Sequence, residues 1–179
     1  MLSYDEGHTS VDEKFVKQSV HRLFYEIDKD LATLEHINTI LMNEIMAIEE
    51  SSRSEHQKLF LDLKEQYGLR DIGLLFIFFF NIMRLKRGEA VVITPNEPHA
   101  YISGDLVECM ANSDNVVRGG LTPKLKDKET LYHMLPYHTL GMERAPVKGQ
   151  AVHKSETSEA LEYKTGFDEF RVFKIEIKP

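Results

Sequence analysis

Tryptophan is absent from this chain and cysteine occurs once. A lone thiol, Cys109, excludes an internal disulfide and suits a reducing compartment. Long apolar runs are missing as well. The most apolar stretch, Leu74–Phe80, is about a third of the roughly 20 residues needed to span a bilayer. No basic-then-apolar leader opens the chain. Positive charge is in deficit, with 22 Lys and Arg against 29 Asp and Glu, for a net charge of −7. That balance argues against an extended nucleic-acid or anionic-membrane surface, though it leaves room for local basic pockets. A soluble, cytoplasmic protein is expected. Its 179 residues suffice for one domain or a small pair with a real core, and no internal repeat is visible.

The first seventy residues hold no proline and little glycine. From Val11 the apolar positions 11, 15, 16, 20, 23, 24 and 27 recur at helical spacing, with Asp12 and Glu13 suited to the positive end of the helix dipole. Leu31, Leu34, Ile37, Leu41, Ile45 and Ile48 repeat the pattern in a second helix. A polar break at Glu49–Ser54 precedes a third, lined by Leu59, Phe60 and Leu63 and ending near Tyr67-Gly68, where glycine suits a left-handed cap. Residues 1–70 therefore read as a helical domain.

After Gly73 the texture turns β-branched and aromatic, and residues 71–179 read as a β domain, giving an α+β fold class. Leu74–Met83 is expected as a buried strand, with a buried helical turn the other reading that periodicity allows. Its Phe78-Phe79-Phe80 would be an aggregation liability on an open edge. Gly88 separates Leu85–Arg87 from Glu89–Thr94, which predicts a hairpin there. Pro95-Asn96-Glu97-Pro98 interrupts pairing, because proline lacks an N–H and fixes φ. Strands are then expected at His99–Ile102 and Leu106–Ala111 around Ser103-Gly104-Asp105. Asp127 is a plausible N-cap for a short helix within Lys124–Tyr137, Pro136 to about Ala160 is loop-like, and Arg171–Ile177 alternates as a strand with Phe173, Ile175 and Ile177 on one face.

Register decides what the 99–111 hairpin presents. A two-residue turn at Ser103-Gly104 sets His99 opposite Glu108, with Cβ atoms roughly 4.5–5.5 Å apart. Tyr101 shares the face of His99. A turn at Gly104-Asp105 instead sets Tyr101 opposite Glu108, and a three-residue turn opposes Cys109 to His99. An inward carboxylate is rarely tolerated unless paired, which marks Glu108 as a site candidate over a solvent-facing salt-bridge partner. Cys109, on the opposite face, reads as an inert core residue. Arg118 and Lys124, taken alone, read as ordinary surface cations, and Asp114 and Asn115 as loop-fixing residues.

Three quoted stretches carry a resemblance: Pro-Asn-Glu-Pro-His-Ala-Tyr-Ile-Ser-Gly-Asp from Pro95, Val-Glu-Cys-Met-Ala from Val107, and Ser-Asp-Asn-Val-Val-Arg-Gly-Gly-Leu-Thr-Pro-Lys from Ser113. Together they resemble the zinc-dependent type I mannose-6-phosphate isomerases. The likeness extends to Glu65-Gln66-Tyr67 and Asp71-Ile72-Gly73, and weakly to Asp168-Glu169-Phe170. It implies a cupin fold, antiparallel sheets closed into a barrel-like jelly roll, here an incomplete one preceded by a helical insertion. It implies a reaction that interconverts mannose 6-phosphate and fructose 6-phosphate through a cis-enediol. It implies His99 as a zinc ligand, Arg118 as catalytic, and Lys124 and Tyr101 at the sugar phosphate. Glu108 is one candidate for the base. The family usually shows Arg-Ala-Gly where this chain has Arg118-Gly119-Gly120, which adds backbone freedom beside the arginine.

Other parts of the family pattern are missing. No Gln-x-His occurs, nor the Gly-Thr-His-Pro segment or the Asn-His-Lys-Pro-Glu signature. The resemblance therefore implies a portion of such an isomerase, with one zinc ligand where a protein site needs at least three. The alternatives are a catalytically inactive truncated product and a sugar-phosphate- or partner-binding module. Severed barrel edges would favour association.

Overall fold

The structure, a computed structural model, describes residues 13–113, 115–135 and 146–178. They fall into two compact units, one built from residues up to 81 together with a return segment from 117, the other from 82–116 and the stretch after 141. The first is helical and the second holds the strands, so the fold is α+β as expected.

In the helical unit, α1 spans Glu13–Lys29 and α2 Leu31–Ala47. Asp30 separates them by capping α2: its Oδ1 accepts the N–H groups of Ala32 at 3.0 Å and Thr33 at 3.3 Å. Helix α2 ends where the guanidinium of Arg53 donates to the carbonyls of Ile45 and Ile48, both at 3.1 Å, placing a cation at the negative end of the helix. A 3₁₀ turn at Glu50–Ser52 occupies the polar break. Helix α3, Glu55–Tyr67, opens with a capping box between Ser54 and Gln57. It ends at Gly68 with φ 74° and ψ 167°, a glycine conformation with positive φ but not the left-handed helical one expected.

The run from Leu74 is not a strand. It forms a short helix α4, Gly73–Phe76, followed by a 3₁₀ turn at Ile77–Phe79. The carboxylate of Asp71 accepts Gly73 N–H at 2.8 Å and starts the turn, so the apolar residues radiate to two clusters rather than alternating. Ile72 and Leu75 join Phe24, Leu34, Leu131 and Tyr132 in one; Leu74 and Ile77 join Ile45, Phe60 and Leu63 in the other. The phenylalanines are tied down by other rings: Phe76 stacks on Phe80 at 5.6 Å, and Phe79 meets Phe24 edge-on at 4.9 Å. The return segment ends in α5, Lys128–Met134, capped by Asp127 as anticipated.

In the strand unit, β1 is Glu89–Ala90 and pairs antiparallel with β2, Val147–Lys148. Gly88, at φ 84°, does sit in a turn, with Glu89 N–H donating to Lys86 O at 2.9 Å. The ladder nonetheless goes to a distant segment and not to Leu85–Arg87, correcting the local hairpin. The stretch read as loop to Ala160 holds two strands of a second sheet: β3, Gln150–Lys154, and β4, Ser158–Tyr163. Their turn is closed by Ser155, whose N–H reaches Ser158 O at 2.8 Å. Strand β5, Val172–Ile177, completes the order β3-β4-β5. Two open antiparallel sheets fit an incomplete jelly roll. Tyr163, the buried end of β4, donates its hydroxyl to Gly88 O at 2.8 Å and so ties the second sheet to the turn before β1.

Candidate active-site residues

His99, Tyr101 and Glu108 lie in the strand unit. No ladder forms between 99–102 and 106–111, although the chain does bend at Ser103-Gly104, where Gly104 takes φ 99°. The contact that closes the bend is Tyr101 Oη donating to Glu108 Oε1 at 2.8 Å. That is the partnership of a turn at Gly104-Asp105, and the His99–Glu108 pairing of the other register is not the one formed. His99 instead sits beside Tyr101, with ring centroids 5.5 Å apart, and its Nδ1 is 2.8 Å from Glu97 O. All of residues 101–110 are exposed. Glu108 is therefore paired but not inward-facing, and Cys109 is an exposed thiol, correcting its core assignment. Without a ladder, strand alternation does not sort these side chains to inner and outer faces.

The Tyr101 hydroxyl is pushed up to about 12 from its ordinary 10, first by partial burial and then by the hydrogen bond to Glu108 and that group's negative charge. Tyr101 is thus a hydrogen-bond donor over the whole neutral range, and it holds one carboxylate oxygen in place.

Arg118 and Lys124 lie in the helical unit, on the segment that leads into α5. Arg118 is half-buried and Lys124 exposed, the latter with its N–H on Thr122 Oγ1 at 3.2 Å. Asn115 bonds to Ser113 through side chain and backbone, in keeping with a loop-fixing role; Asp114 lies outside the described residues.

The glycines after Arg118 are tight rather than loose. A Cβ on Gly119 would come within 2.7 Å of Leu131 Cδ2, and one on Gly120 within 2.6 Å of both Gly73 N and Asp71 Oδ1. Gly119-Gly120 therefore allows close approach, which corrects the expectation of added freedom. Leu121 follows at φ 52°, rare for a residue with a side chain.

Asp71 was marked from sequence only as part of the family likeness at Asp71-Ile72-Gly73, with no role attached, and Lys126 and Asn38 were not marked at all. Asp71 is buried, and its Oδ1 accepts from Gly73 N–H at 2.8 Å and Leu121 N–H at 2.9 Å, while Oδ2 takes the Lys126 ammonium at 2.5 Å. Asn38, fully buried on α2, donates to Leu69 O at 2.8 Å and Asp71 O at 3.4 Å. An Asp two residues ahead of a Gly is a local turn signal; the long-range partners leave no trace in the pattern. An open cavity of about 460 Å³ lies beside this network, lined by Gln66, Tyr67, Arg70, Asp71, Thr122, Pro123 and Lys126.

Among the described residues, no group of three or more His, Cys, Asp or Glu is placed to hold a metal ion. The described residues therefore do not by themselves fit a zinc centre, which takes at least three protein ligands. His99 is compatible with one ligand position, because the contact of Nδ1 with a carbonyl fixes the ring and turns Nε2 away from it.

Two relatives align with nearly the whole chain. Mannose-6-phosphate isomerase 2 of Arabidopsis thaliana is 40% identical over 167 residues, covering 92% of this chain and 36% of its own length. Mannose-6-phosphate isomerase of Cryptococcus neoformans is 36% identical over 174 residues, covering 96% of this chain and 39% of its own. The chain belongs to the mannose-6-phosphate isomerase family. It spans between a third and two-fifths of the length of these relatives. A probable mannose-6-phosphate isomerase of Echinococcus multilocularis reaches 61% identity over 82 residues. No family model and no solved structure matches the chain.

Among the described residues, no helix is long and apolar enough to cross a membrane.

Proposed function

We propose that this chain supplies the sugar-phosphate-holding and proton-handling part of a mannose-6-phosphate isomerase, acting on mannose 6-phosphate and fructose 6-phosphate in the cytoplasm. The observation that carries this reading is kinship over 92% of the chain to a protein named for that activity. Acidic net charge and one cysteine support the compartment and a lack of nucleic-acid partners.

The reaction moves a proton between C2 and C1 and passes through an enediolate. In this reading Glu108 takes and returns that proton, which a positioned base accelerates by roughly 10²–10⁴-fold. Tyr101 donates its one phenolic proton to Glu108 Oε1, holds that carboxylate in one orientation, and keeps only its oxygen to accept from a sugar hydroxyl. Arg118 offsets charge developing on the enediolate and Lys124 meets the phosphate dianion. His99 is proposed as one ligand to a zinc ion that would polarise the sugar oxygens. Among the described residues no group of three or more His, Cys, Asp or Glu stands ready to complete such a site.

The test is calorimetric titration of the 179-residue chain with mannose 6-phosphate, alongside zinc analysis and a coupled assay for fructose 6-phosphate. Binding is expected, weakened about tenfold or more by Arg118→Ala and by Lys124→Ala, with sub-stoichiometric zinc and no turnover. Affinity indifferent to both substitutions would remove these cations from the site. Stoichiometric zinc with turnover would show the described ligand set to be incomplete.

A further inference from the structure

We propose that Asp71 is a positioning residue: its buried carboxylate fixes the segment that carries Arg118 and Lys124, and thereby sets how tightly those cations hold a sugar phosphate. The inference rests on the reading above for the ligand, but its geometry is independent of it.

Leu121 lies midway between the two cations, three residues from each. Its φ of 52° is one that a side-chain-bearing residue adopts only when its surroundings impose it. Two constraints do so. Its N–H is held by Asp71 Oδ1 at 2.9 Å, and its side chain packs where a Cβ on Gly73 would meet Leu121 Cγ at 2.6 Å. On one side Gly120 lies against the backbone of Gly73; on the other the Lys126 ammonium closes on Asp71 Oδ2 at 2.5 Å. One carboxylate thus grips the segment at two points, 50 and 55 residues away in sequence. It cannot drift itself, because its side chain is only 4% exposed and its own carbonyl receives Leu74 N–H at 3.2 Å and the Asn38 amide. Satisfying both oxygens requires the segment to return to the same place, so Arg118 and Lys124 are presented at a fixed spacing.

A second buried carboxylate provides a control of the same chemistry. Asp28 pairs with Lys128 at 2.7 Å and accepts from Tyr132 Oη at 3.3 Å, with no bond to residues 118–126. The experiment compares Asp71→Asn, Lys126→Met, their combination and Asp28→Asn in the full chain. It reads melting temperature, amide hydrogen exchange at residues 119–122, and mannose 6-phosphate affinity well below melting. In Asp71→Asn the amide oxygen still accepts from Gly73 and Leu121, but its NH₂ opposes the Lys126 ammonium. Exchange at 119–122 is expected to quicken, and affinity to fall, by about tenfold. Adding Lys126→Met removes the opposed cation and restores affinity to within about threefold of wild type. Asp28→Asn lowers the melting temperature while leaving loop exchange and affinity within about twofold.

Affinity that follows melting temperature across all four variants, Asp28→Asn included, would reduce Asp71 to a general structural role and overturn the proposal. A wild-type chain that fails to bind mannose 6-phosphate would sink the functional reading instead. Exchange at 119–122 then decides the positioning claim: selective quickening in Asp71→Asn upholds it, and an unchanged rate refutes it.

Discussion

The phenol of Tyr101 donates to Glu108 Oε1 at 2.8 Å across a bend whose Gly104 stands at φ 99°. No backbone ladder supports this contact, so a side-chain hydrogen bond joins the two arms of the bend. The pair therefore acts as a local clasp as well as a candidate site, and its chemistry can be read from Tyr101.

Ultraviolet titration of the phenolate, with Tyr101→Phe as the blank, should show Tyr101 ionising near pH 12. Glu108→Gln should bring that value down toward the ordinary 10 without reaching it, because partial burial, the largest cause, persists. The sign for stability follows from linkage. A pKa raised on folding stabilises fully below the unfolded value near 10 and is lost as pH rises through about 12. Glu108→Gln should therefore narrow the alkaline loss. A Tyr101 value unmoved by Glu108→Gln would mean that the two groups do not interact in solution.

The glycines beside Arg118 should respond unequally to alanine. At Gly119 the obstacle is the far end of Leu131, which can turn, so Gly119→Ala should cost under about 1 kcal/mol. At Gly120 the obstacles are the Gly73 backbone and the carboxylate of Asp71, neither of which can yield cheaply. Gly120→Ala should cost about 1–3 kcal/mol by urea denaturation, the range of overpacking. Equal effects at the two positions would show that this segment is not closely apposed to Gly73.

Much of the helical unit was legible in advance because its signals are local. Asp127 could be read as a cap because its side chain satisfies a backbone N–H three residues on, and apolar spacing marked the helices; Asp30 and Ser54 cap in the same local way but were not marked from sequence. The strands were harder. Strand β1 pairs with residues more than fifty positions away, so nothing near Gly88 announces its partner. The run at Leu74 misled because its bulky apolar residues suit a buried strand equally well, and the deciding group is the turn-forming carboxylate of Asp71 just ahead of it. In the candidate site, the Tyr101–Glu108 partnership is one that hairpin register allows, whereas Asp71 and Lys126 meet only through the tertiary fold. Arg118, Lys124 and His99 were marked by family resemblance, and their spacing alone would have left them as surface residues.

Phe60 and Phe79 separate core from periphery within one residue type. Phe60 is fully buried between α3 and its neighbours, whereas Phe79 is 61% exposed with one edge-on partner, Phe24. Phe60→Ala should cost about 3–5 kcal/mol, through lost burial and an unfilled cavity. Phe79→Ala should cost about 1 kcal/mol, the scale of an aromatic pair. Denaturant midpoints at matched slopes test both. A larger loss at Phe79 would mean that its exposed face is covered in solution.

The carboxylates that start α2 and α5 should make this fold sensitive to acid in a specific way. Asp30 is held below the usual carboxylate range by the hydroxyl of Thr33, then by the N–H groups of Thr33 and Ala32. Asp127 is lowered by the N–H of Thr130 and then by its hydroxyl. Depressed values mean that the ionised caps stabilise the folded chain above the ordinary value of 3.8, and that this contribution fades as pH falls through the lower folded values. Asparagine keeps an acceptor for the same N–H groups but has no charge to lose. The variant carrying Asp30→Asn and Asp127→Asn should therefore melt below wild type near neutral pH, and the gap should close as the solution is acidified past the carboxylate range. Thermal melts followed by helical circular dichroism would show this. A gap that stayed constant or widened in acid would mean that hydrogen-bond geometry, with no contribution from ionisation, is what these two aspartates provide.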